Sequence, residues 1–321
     1  MMKPQLDLAG AVRLRSYLIA GGMTDDQLVR LVRAGILTRI RYGAYVATEV
    51  WQQASVEDRH RMLCRAVLGR ADPSTALTHV SSVVERGVPV WGFDLGVVHT
   101  TRRAPDRAGR KLGDWVPHRG VLGADDVEEW GDVAISTAAR SAFECTTIAG
   151  IEPALVVVNR LLHVKAMTVD DFAHQVEAHS RWPGSLTATI VLRLADPRLE
   201  SVGEDRFLYL AYDQGLPRPE PQWEVEDECG RVVARLDFAW PDFGVFLEFD
   251  GRTKYRLYRR EGETLEEFLM REKAREELIC MLTGWTCIRI SWAELARPQR
   301  LAARIRAVLL ARSRRSGRLG A

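Results

Sequence analysis

The sequence offers little material for a zinc site or a disulfide framework. Its five cysteines are scattered without a C-x-x-C pair, and no histidine follows His179. Structural zinc sites and disulfide-rich domains are recognised by closely spaced ligands, which are missing from this sequence. The sequence therefore favours neither class of protein, and we expect the cysteines to be reduced thiols.

Long apolar runs and a strong net charge are also missing. No stretch approaches the roughly 20 apolar residues of a membrane span, and the N-terminus lacks the apolar region of a signal peptide. The 321 residues are 46% hydrophobic and 27% charged, which suits two or three domains with real cores. A net charge of +2 does not by itself indicate nucleic acid. We expect a cytoplasmic protein without a membrane partner.

The first organised segment covers residues 23–48. Thr24 and, three residues later, Gln27 form a capping-box pattern that predicts the start of a helix, and Gly35 predicts its end. This helix has an apolar stripe and, on a different side, a polar one: Leu28, Leu31 and Val32 against Gln27, Arg30 and Arg33. One face can therefore pack while the other meets a ligand. Residues 8–20 are predicted to form a preceding helix.

A short hairpin is predicted directly after this helix. Arg39 and Arg41 alternate with Ile40 and Tyr42, and a second apolar strand covers residues 44–46. Helix, helix and hairpin in this order predict a winged helix, in which the second helix enters the major groove and the wing meets phosphate. The expected DNA-binding residues are Gln27, Arg30, Arg33, Arg39 and Arg41. Alternatively, these arginines form the solvated face of a protein-interaction module.

The run "LVRLVRAGILTRIRYGAYV", residues 28–46, resembles the N-terminal winged-helix domain of AbiEi-type antitoxins. These proteins are the transcription-repressing half of type IV toxin–antitoxin systems. The resemblance implies double-stranded DNA as a ligand and a cognate toxin as a protein partner.

Residues 51–195 predict an α+β connecting domain. Amphipathic helical patterns alternate with short strand-like runs: helices at 56–69, 74–87 and 152–164, strands at 96–103 and 132–137. His79 falls in a predicted helix and is interpreted as a core or surface residue rather than a ligand, and His99 and His118 are interpreted in the same way. This order also resembles the middle region of long actinobacterial AbiEi-like proteins, which implies no function for it.

Three acidic residues lie in or before apolar elements of the last third of the chain. Ser201 predicts the cap of a helix whose first turn contains Glu204, where a carboxylate favours the helix dipole whatever else it does. Closing a hairpin at the turn of residues 241–244 sets Asp237 directly opposite Glu248. Facing like charges destabilise a sheet, so this register predicts a cation between them.

The period of two places Asp250 on the same strand face as Glu248. The opposite, core-facing side is predicted to carry Leu236, Phe238, Leu247 and Phe249. Carboxylate oxygens suit Mg²⁺, with Mn²⁺ as an alternative, so the predicted metal ligands are Asp237, Glu248 and Asp250. Lys254 follows closely enough to stabilise charge on a scissile phosphate. These are the parts of a phosphodiesterase.

The same residues resemble the PD-D/E-xK nuclease superfamily, most closely its very-short-patch-repair branch. The resemblance implies an acidic set of Glu204, Asp237 and Glu248, with Asp250 in the second acidic position. The sequence departs from the pattern because "EFD" stands where Glu-x-Lys is usual, and Lys254 stands where that branch often has histidine. Two alternatives stay open: a nuclease relic, or a structural network in which Arg235, Arg271 or Lys273 satisfies the acids.

The predicted fold class is a multidomain α+β protein. Its parts are a winged-helix DNA-binding domain (1–50), an α+β middle domain (51–195), a restriction-endonuclease-like α/β domain (196–296), and a basic C-terminal helix and tail (297–321). Two functions remain open. One is a Mg²⁺-dependent DNA endonuclease, and the other is a non-catalytic AbiEi-like antitoxin or transcriptional regulator that retains a nuclease-like fold.

Overall fold

Helices and three separate sheets make this a mixed α/β chain, as predicted at that level. The structure is a computed structural model that describes residues 8–103, 113–250 and 262–316. The chain divides into two units, of which the first comprises Met1–Val157 and Val164–Leu192 and the second Val158–His163 and Arg193–Ala321. Within the described stretches, no helix combines the length and the apolar character needed to cross a bilayer.

The N-terminal part of the first unit contains a three-stranded antiparallel sheet in the order β1-β3-β2. Its elements are α1 (Leu8–Ala11), β1 (Arg13–Leu14), α2 (Arg15–Ala20), α3 (Asp25–Arg33), β2 (Leu37–Arg41), β3 (Ala44–Ala47) and α4 (Thr48–Gln53). The prediction of one helix over residues 8–20 is wrong, because Arg13 and Leu14 pair with β3 and divide the segment. The capping box of Thr24 and Gln27 is confirmed.

The rest of the first unit is built on a five-stranded sheet in the order β6-β5-β4-β8-β7. Its elements are α5 (Val56–Leu68), β4 (Thr75–Leu77), α6 (His79–Glu85), β5 (Val98–Arg102), β6 (Trp115–His118), β7 (Val127–Trp130), β8 (Val133–Ser136), α7 (Ala138–Ile148), α8 (Ile151–His163), α9 (Val169–Ala178) and α10 (Ser185–Leu194). The last residues of α8, from Val158, and of α10, from Arg193, are counted with the second unit. The helix predicted over 74–87 is wrong at its start, because Thr75–Leu77 is a buried strand paired with β5.

The second unit has a four-stranded sheet in the order β12-β11-β10-β9. Its elements are α11 (Val202–Asp213), β9 (Glu220–Glu226), β10 (Val232–Trp240), β11 (Val245–Asp250), α12 (Leu265–Thr283), β12 (Thr286–Ser291), α13 (Trp292–Leu295) and α14 (Pro298–Ser316). Strands β9, β10 and β11 are antiparallel, and β12 runs parallel to β11. The predicted pairing of Trp240 with Val245 is confirmed.

Candidate functional site

Glu204 lies in the first turn of α11, and its side chain is buried. Ser201 caps the helix, since its Oγ accepts from Glu204 N at 3.2 Å and donates to Glu204 Oε1 at 2.6 Å. The other carboxylate oxygen, Oε2, accepts from Glu200 N at 2.9 Å and from Gln222 Nε2 at 2.8 Å. The helix dipole alone therefore does not account for Glu204, because donors from the loop before α11 and from β9 also fix its carboxylate.

A glycine allows α11 to approach the sheet at this point. A Cβ atom on Gly203 would lie 2.5 Å from Cε1 of Phe249, closer than side-chain atoms can approach. Phe249 belongs to β11, so the missing side chain lets the start of the helix lie directly against that strand. Glu204, the next residue, is thereby held beside the acidic part of the sheet.

Asp237 interrupts the regular pairing of β10. The described ladder between β10 and β11 runs from Trp240 and Val245 to Phe238 and Leu247. Beyond it, Phe249 N donates to the Asp237 carboxylate, at 2.6 Å from Oδ2. A side chain therefore accepts a hydrogen bond from the backbone of the neighbouring strand, and this fixes the position of the carboxylate.

This interruption overturns the predicted core face. Leu236 and Phe238 were expected on the same side, but Leu236 packs with Phe246 and Ile279, whereas Phe238 packs with Leu247 and Phe249. The neighbouring strand β9 is also irregular here, since Gln222 has a φ of +54°. The change of side between Leu236 and Phe238 shows that a regular period of two does not hold through Asp237.

Glu248 is buried and has a basic partner. The ladder between the two strands ends at Phe238 and Leu247, and its register continued by one pair would set Glu248 opposite Asp237. Arg275 of α12 donates from Nη2 to Glu248 Oε1 at 3.2 Å and to Arg235 O at 2.9 Å. One guanidinium therefore links the second acidic strand to the backbone of the first.

The cations predicted for a structural network have other described partners. Arg235 pairs with Glu200, Arg271 with Glu263 and Lys273 with Glu277. Arg275, which was not among the predicted partners, lies one helical turn after Arg271 on the same face of α12. This one-turn shift along the helix decides which arginine reaches Glu248.

Electrostatics connect Glu204 with its neighbours. Burial raises the pKa of Glu204, and the negative charge of Asp237 raises it further, while the hydrogen bonds from Glu200, Ser201 and Gln222 lower it. Burial also raises the pKa of Asp205 to about 7, although Arg160 opposes this by pairing with it at 2.7 Å. The start of α11 therefore holds two buried carboxyl groups whose pKa values are raised, chiefly by burial.

Two of the predicted site residues, Asp250 and Lys254, have no described side chain. Lys254 lies outside the described residues, and of Asp250 only the backbone is described, at the end of β11 opposite Ser291. Among the described side chains, Glu204, Asp237 and Glu248 are not a group of three whose ligand atoms all lie within 4.8 Å of one another. These three carboxylates alone do not form a closed metal cage.

The polar face predicted for DNA is exposed at four of its five positions: Gln27, Arg30, Arg33 and Arg39. Gln27 also uses its Oε1 to accept from Thr24 N at 2.8 Å. Arg41 differs, because its side chain pairs with Asp114 at 3.0 Å, lies over the Trp115 ring and is only 12% exposed. The pairing of β2 with β3 shifts between Arg39 and Arg41, and such a bulge re-aims side chains. Because its guanidinium is already engaged by Asp114 and Trp115, Arg41 is poorly placed to bind a DNA phosphate as predicted.

A histidine cluster that was not predicted from the sequence lies in the first unit. His79, His99 and His118 each present a ligand nitrogen within 4.8 Å of those of the other two. They come from α6, β5 and β6, and His79 is the first residue of its helix rather than an interior one. Their separations along the chain carry no motif, because the pairing of β5 with β6 brings two of them together.

Comparison with known proteins identifies relatives but no family. No family model matches the chain. Two uncharacterized proteins from strains of Mycobacterium tuberculosis are each 28% identical to it over 295 residues, covering 88% of this chain and 96% of the relative. The similarity thus extends over nearly the full length of these relatives, and their names state no activity.

Proposed function

We propose that this protein binds double-stranded DNA through its N-terminal segment and cleaves DNA, with Mg²⁺, at the acidic site of its second unit. The observation that carries the proposal is Asp237, whose buried carboxylate accepts from Phe249 N just beyond the end of the β10–β11 ladder and raises the pKa of the nearby Glu204. Facing acids inside a sheet are unfavourable unless a cation offsets them. Buried acids placed close together lower the stability of the fold, so a role in cation binding explains them better than a role in stabilising it.

The element order of the second unit supports this proposal. The resemblance to repair endonucleases requires a Glu on a first helix, an Asp on a strand and an acidic pair on the next strand. Helix α11 and strands β10 and β11 carry Glu204, Asp237, Glu248 and Asp250 in that order. Helix α12 and the parallel strand β12 then follow, as the same resemblance implies for the end of the domain.

The donor set fits a hard divalent ion. Mg²⁺ prefers a few carboxylate oxygens and keeps several waters, so it does not need three protein ligands in a closed cage. Asp237 and Glu248 would hold the ion, and when bound it would lower the pKa of a coordinated water and polarise a phosphate. Phe249 N fixes the Asp237 carboxylate, and Glu204 would bring a third carboxyl group from α11. Lys254 is proposed to stabilise charge on the scissile phosphate.

The N-terminal segment supports the DNA-binding half of the proposal. Helices α2 and α3 are followed by the β2–β3 hairpin, to which β1 adds a third strand, in the order expected of a winged helix. The helix α3 buries Leu28 and exposes Arg30 and Arg33. Basic residues on an exposed recognition helix favour contact with the phosphates and bases of a major groove.

A second candidate function has an observation in its favour. Glu248 already has Arg275 as a partner, and a buried acid satisfied by arginine needs no metal. In that case the second unit is a non-catalytic, nuclease-like scaffold, and the protein is a DNA-binding regulator or an AbiEi-like antitoxin. A cognate toxin would then be its protein partner.

A plasmid-nicking assay separates the two functions. The full-length protein is incubated with supercoiled DNA and Mg²⁺ or Mn²⁺, beside the variants Asp237→Asn and Asp242→Asn. The second variant is a matched control, since Asp242 lies exposed in the hairpin turn. We expect nicking by the wild type and by Asp242→Asn but not by Asp237→Asn. A wild type that binds DNA but leaves it intact with both ions decides for the regulator.

A further inference from the structure

Three histidine rings lie stacked in the first unit. The ring centroids of His79 and His118 are 3.7 Å apart with an interplanar angle of 20°, and those of His99 and His118 are 5.1 Å apart. His99 Nδ1 and His118 Nε2 are 2.8 Å apart and share one hydrogen bond. Three imidazoles from three separate elements are thus concentrated at one place, which packing of an apolar core does not require.

The position of His79 is fixed by its backbone and by neighbouring polar groups. His79 has a φ of +54°, and its backbone N donates to Glu144 Oε2 at 3.1 Å. Its Nδ1 lies 2.9 Å from Thr78 Oγ1, which leaves Nε2 as its ligand atom. A hydrogen bond on one ring nitrogen orients the other for a metal, as is usual for histidine ligands.

Two of the three rings lie in surroundings that disfavour their charged form. Burial and the neighbouring histidines hold the pKa of His79 well below its usual value, and burial lowers the pKa of His118 to about 4. A neutral imidazole offers a nitrogen lone pair, whereas an imidazolium offers none.

A cavity adjoins the cluster. Its volume is about 210 Å³, and its lining includes His79, His118, Arg140 and Glu144. It is large enough for several water molecules or a small ligand. A metal held by three histidines beside such a cavity would keep a coordination position open, as catalytic zinc sites do and closed structural sites do not.

We propose that His79, His99 and His118 bind one transition-metal ion of the Zn²⁺ class, with a fourth position open to the adjacent cavity. Imidazole nitrogen suits Zn²⁺ and its neighbours in the first transition row, whereas Mg²⁺ and Ca²⁺ prefer oxygen. At a metal–nitrogen distance of about 2.0–2.1 Å, tetrahedral ligand atoms lie roughly 3.3 Å apart. The site forms when the ion replaces the His99–His118 hydrogen bond and the rings turn their nitrogens toward it.

The test is a titration of the full-length protein after its metals have been removed with a chelator. Zn²⁺ is added in a calorimeter in excess Mg²⁺, so that the carboxylates of the second unit do not contribute. We expect one Zn²⁺ per chain for the wild type and for His174→Gln, a control on an exposed position of α9. We expect at least a hundredfold weaker binding for His118→Gln and for His79→Asn, since asparagine tolerates a positive φ.

A cobalt titration provides a readout that does not depend on the variants folding. Co²⁺ bound by three nitrogens in a near-tetrahedral site gives visible absorption bands without thiolate charge-transfer absorption. Thiolate charge-transfer absorption would instead indicate that Co²⁺ binds to one or more of the five cysteines. The proposal is overturned if the wild type binds neither ion saturably, if thiolate absorption accompanies the cobalt bands, or if a folded His118→Gln variant binds as tightly as the wild type.

Discussion

Replacing Asp237 separates its two physical roles, because asparagine keeps an acceptor for Phe249 N while alanine does not. Asp237 and Glu248 are 9% and 8% exposed, so water screens their charges poorly. The hairpin register continued by one pair sets these two residues opposite each other, where Cβ atoms lie about 5 Å apart. At an effective dielectric of about 20, unit charges at that distance repel by about 3 kcal/mol. Arg275 offsets part of this repulsion through its pair with Glu248.

We therefore expect Asp237→Asn to raise the free energy of unfolding by about 1 kcal/mol in metal-free buffer, the share of the repulsion that Arg275 leaves. Asp237→Ala removes the same charge but leaves the amide of Phe249 unpaired, so it is expected to be about 1–3 kcal/mol less stable than Asp237→Asn. Urea denaturation in the presence of a chelator measures both differences, provided that the m-values of the three proteins agree.

Magnesium should reverse the order of the wild type and Asp237→Asn. At ten times its dissociation constant, an ion that binds only the folded state adds about 1.4 kcal/mol. The wild type should gain this stability, and Asp237→Asn should gain much less. If Asp237→Asn is instead less stable than the wild type in chelator, and Mg²⁺ stabilises neither, the chain itself satisfies the charge of Asp237 and the metal argument fails.

Three other perturbations test separate parts of the structure. Gly203→Ala forces a Cβ against Phe249 and should lower the free energy of unfolding by about 1–3 kcal/mol. Gly150→Ala is the control, because a Cβ at Gly150 meets open space and should not destabilise the protein. Equal melting temperatures of the two variants would contradict the close approach of α11 to Phe249. The pKa of Asp205 is about 7 in the folded protein and 3.8 in the free group. The stability of the wild type relative to Asp205→Asn should therefore fall as the pH rises from about 4 to about 7. A relative stability that rises over this range would show that folding lowers the pKa of Asp205. Arg33→Ala should weaken duplex binding and reduce its salt dependence, while Arg41→Ala should leave that dependence unchanged; gel-shift titrations at several salt concentrations compare them.

The sequence predicted those features that neighbouring residues determine. The capping box of Thr24 and Gln27 and the cap at Ser201 involve contacts three residues apart, and both are found as expected. The hairpin register from Trp240 and Val245 also follows from one short turn. Local hydrogen-bonding rules are sufficient at such positions because no distant part of the chain competes with them.

The errors arise where distant segments meet. Arg13 and Leu14 are not helical because they form backbone hydrogen bonds with β3. Leu236 lies on the unexpected side of the sheet, next to Asp237, whose carboxylate accepts a hydrogen bond from the backbone of β11. The histidine cluster depends on which strands become neighbours in the sheet. Tertiary contacts of this kind override local periodicity and leave no trace in the spacing of residues.

The hydrogen bond from Phe249 N to the Asp237 carboxylate gives this domain a natural spectroscopic reporter. An amide proton held by a charged oxygen is strongly deshielded, and its resonance responds when that charge is neutralised or shared with an ion. Phe249 itself is anchored in the apolar cluster that contains Phe207 and Leu247, so its backbone does not need to move for the signal to change. One resonance in a ¹⁵N-labelled sample thus reports the electrostatic state of the acidic site directly.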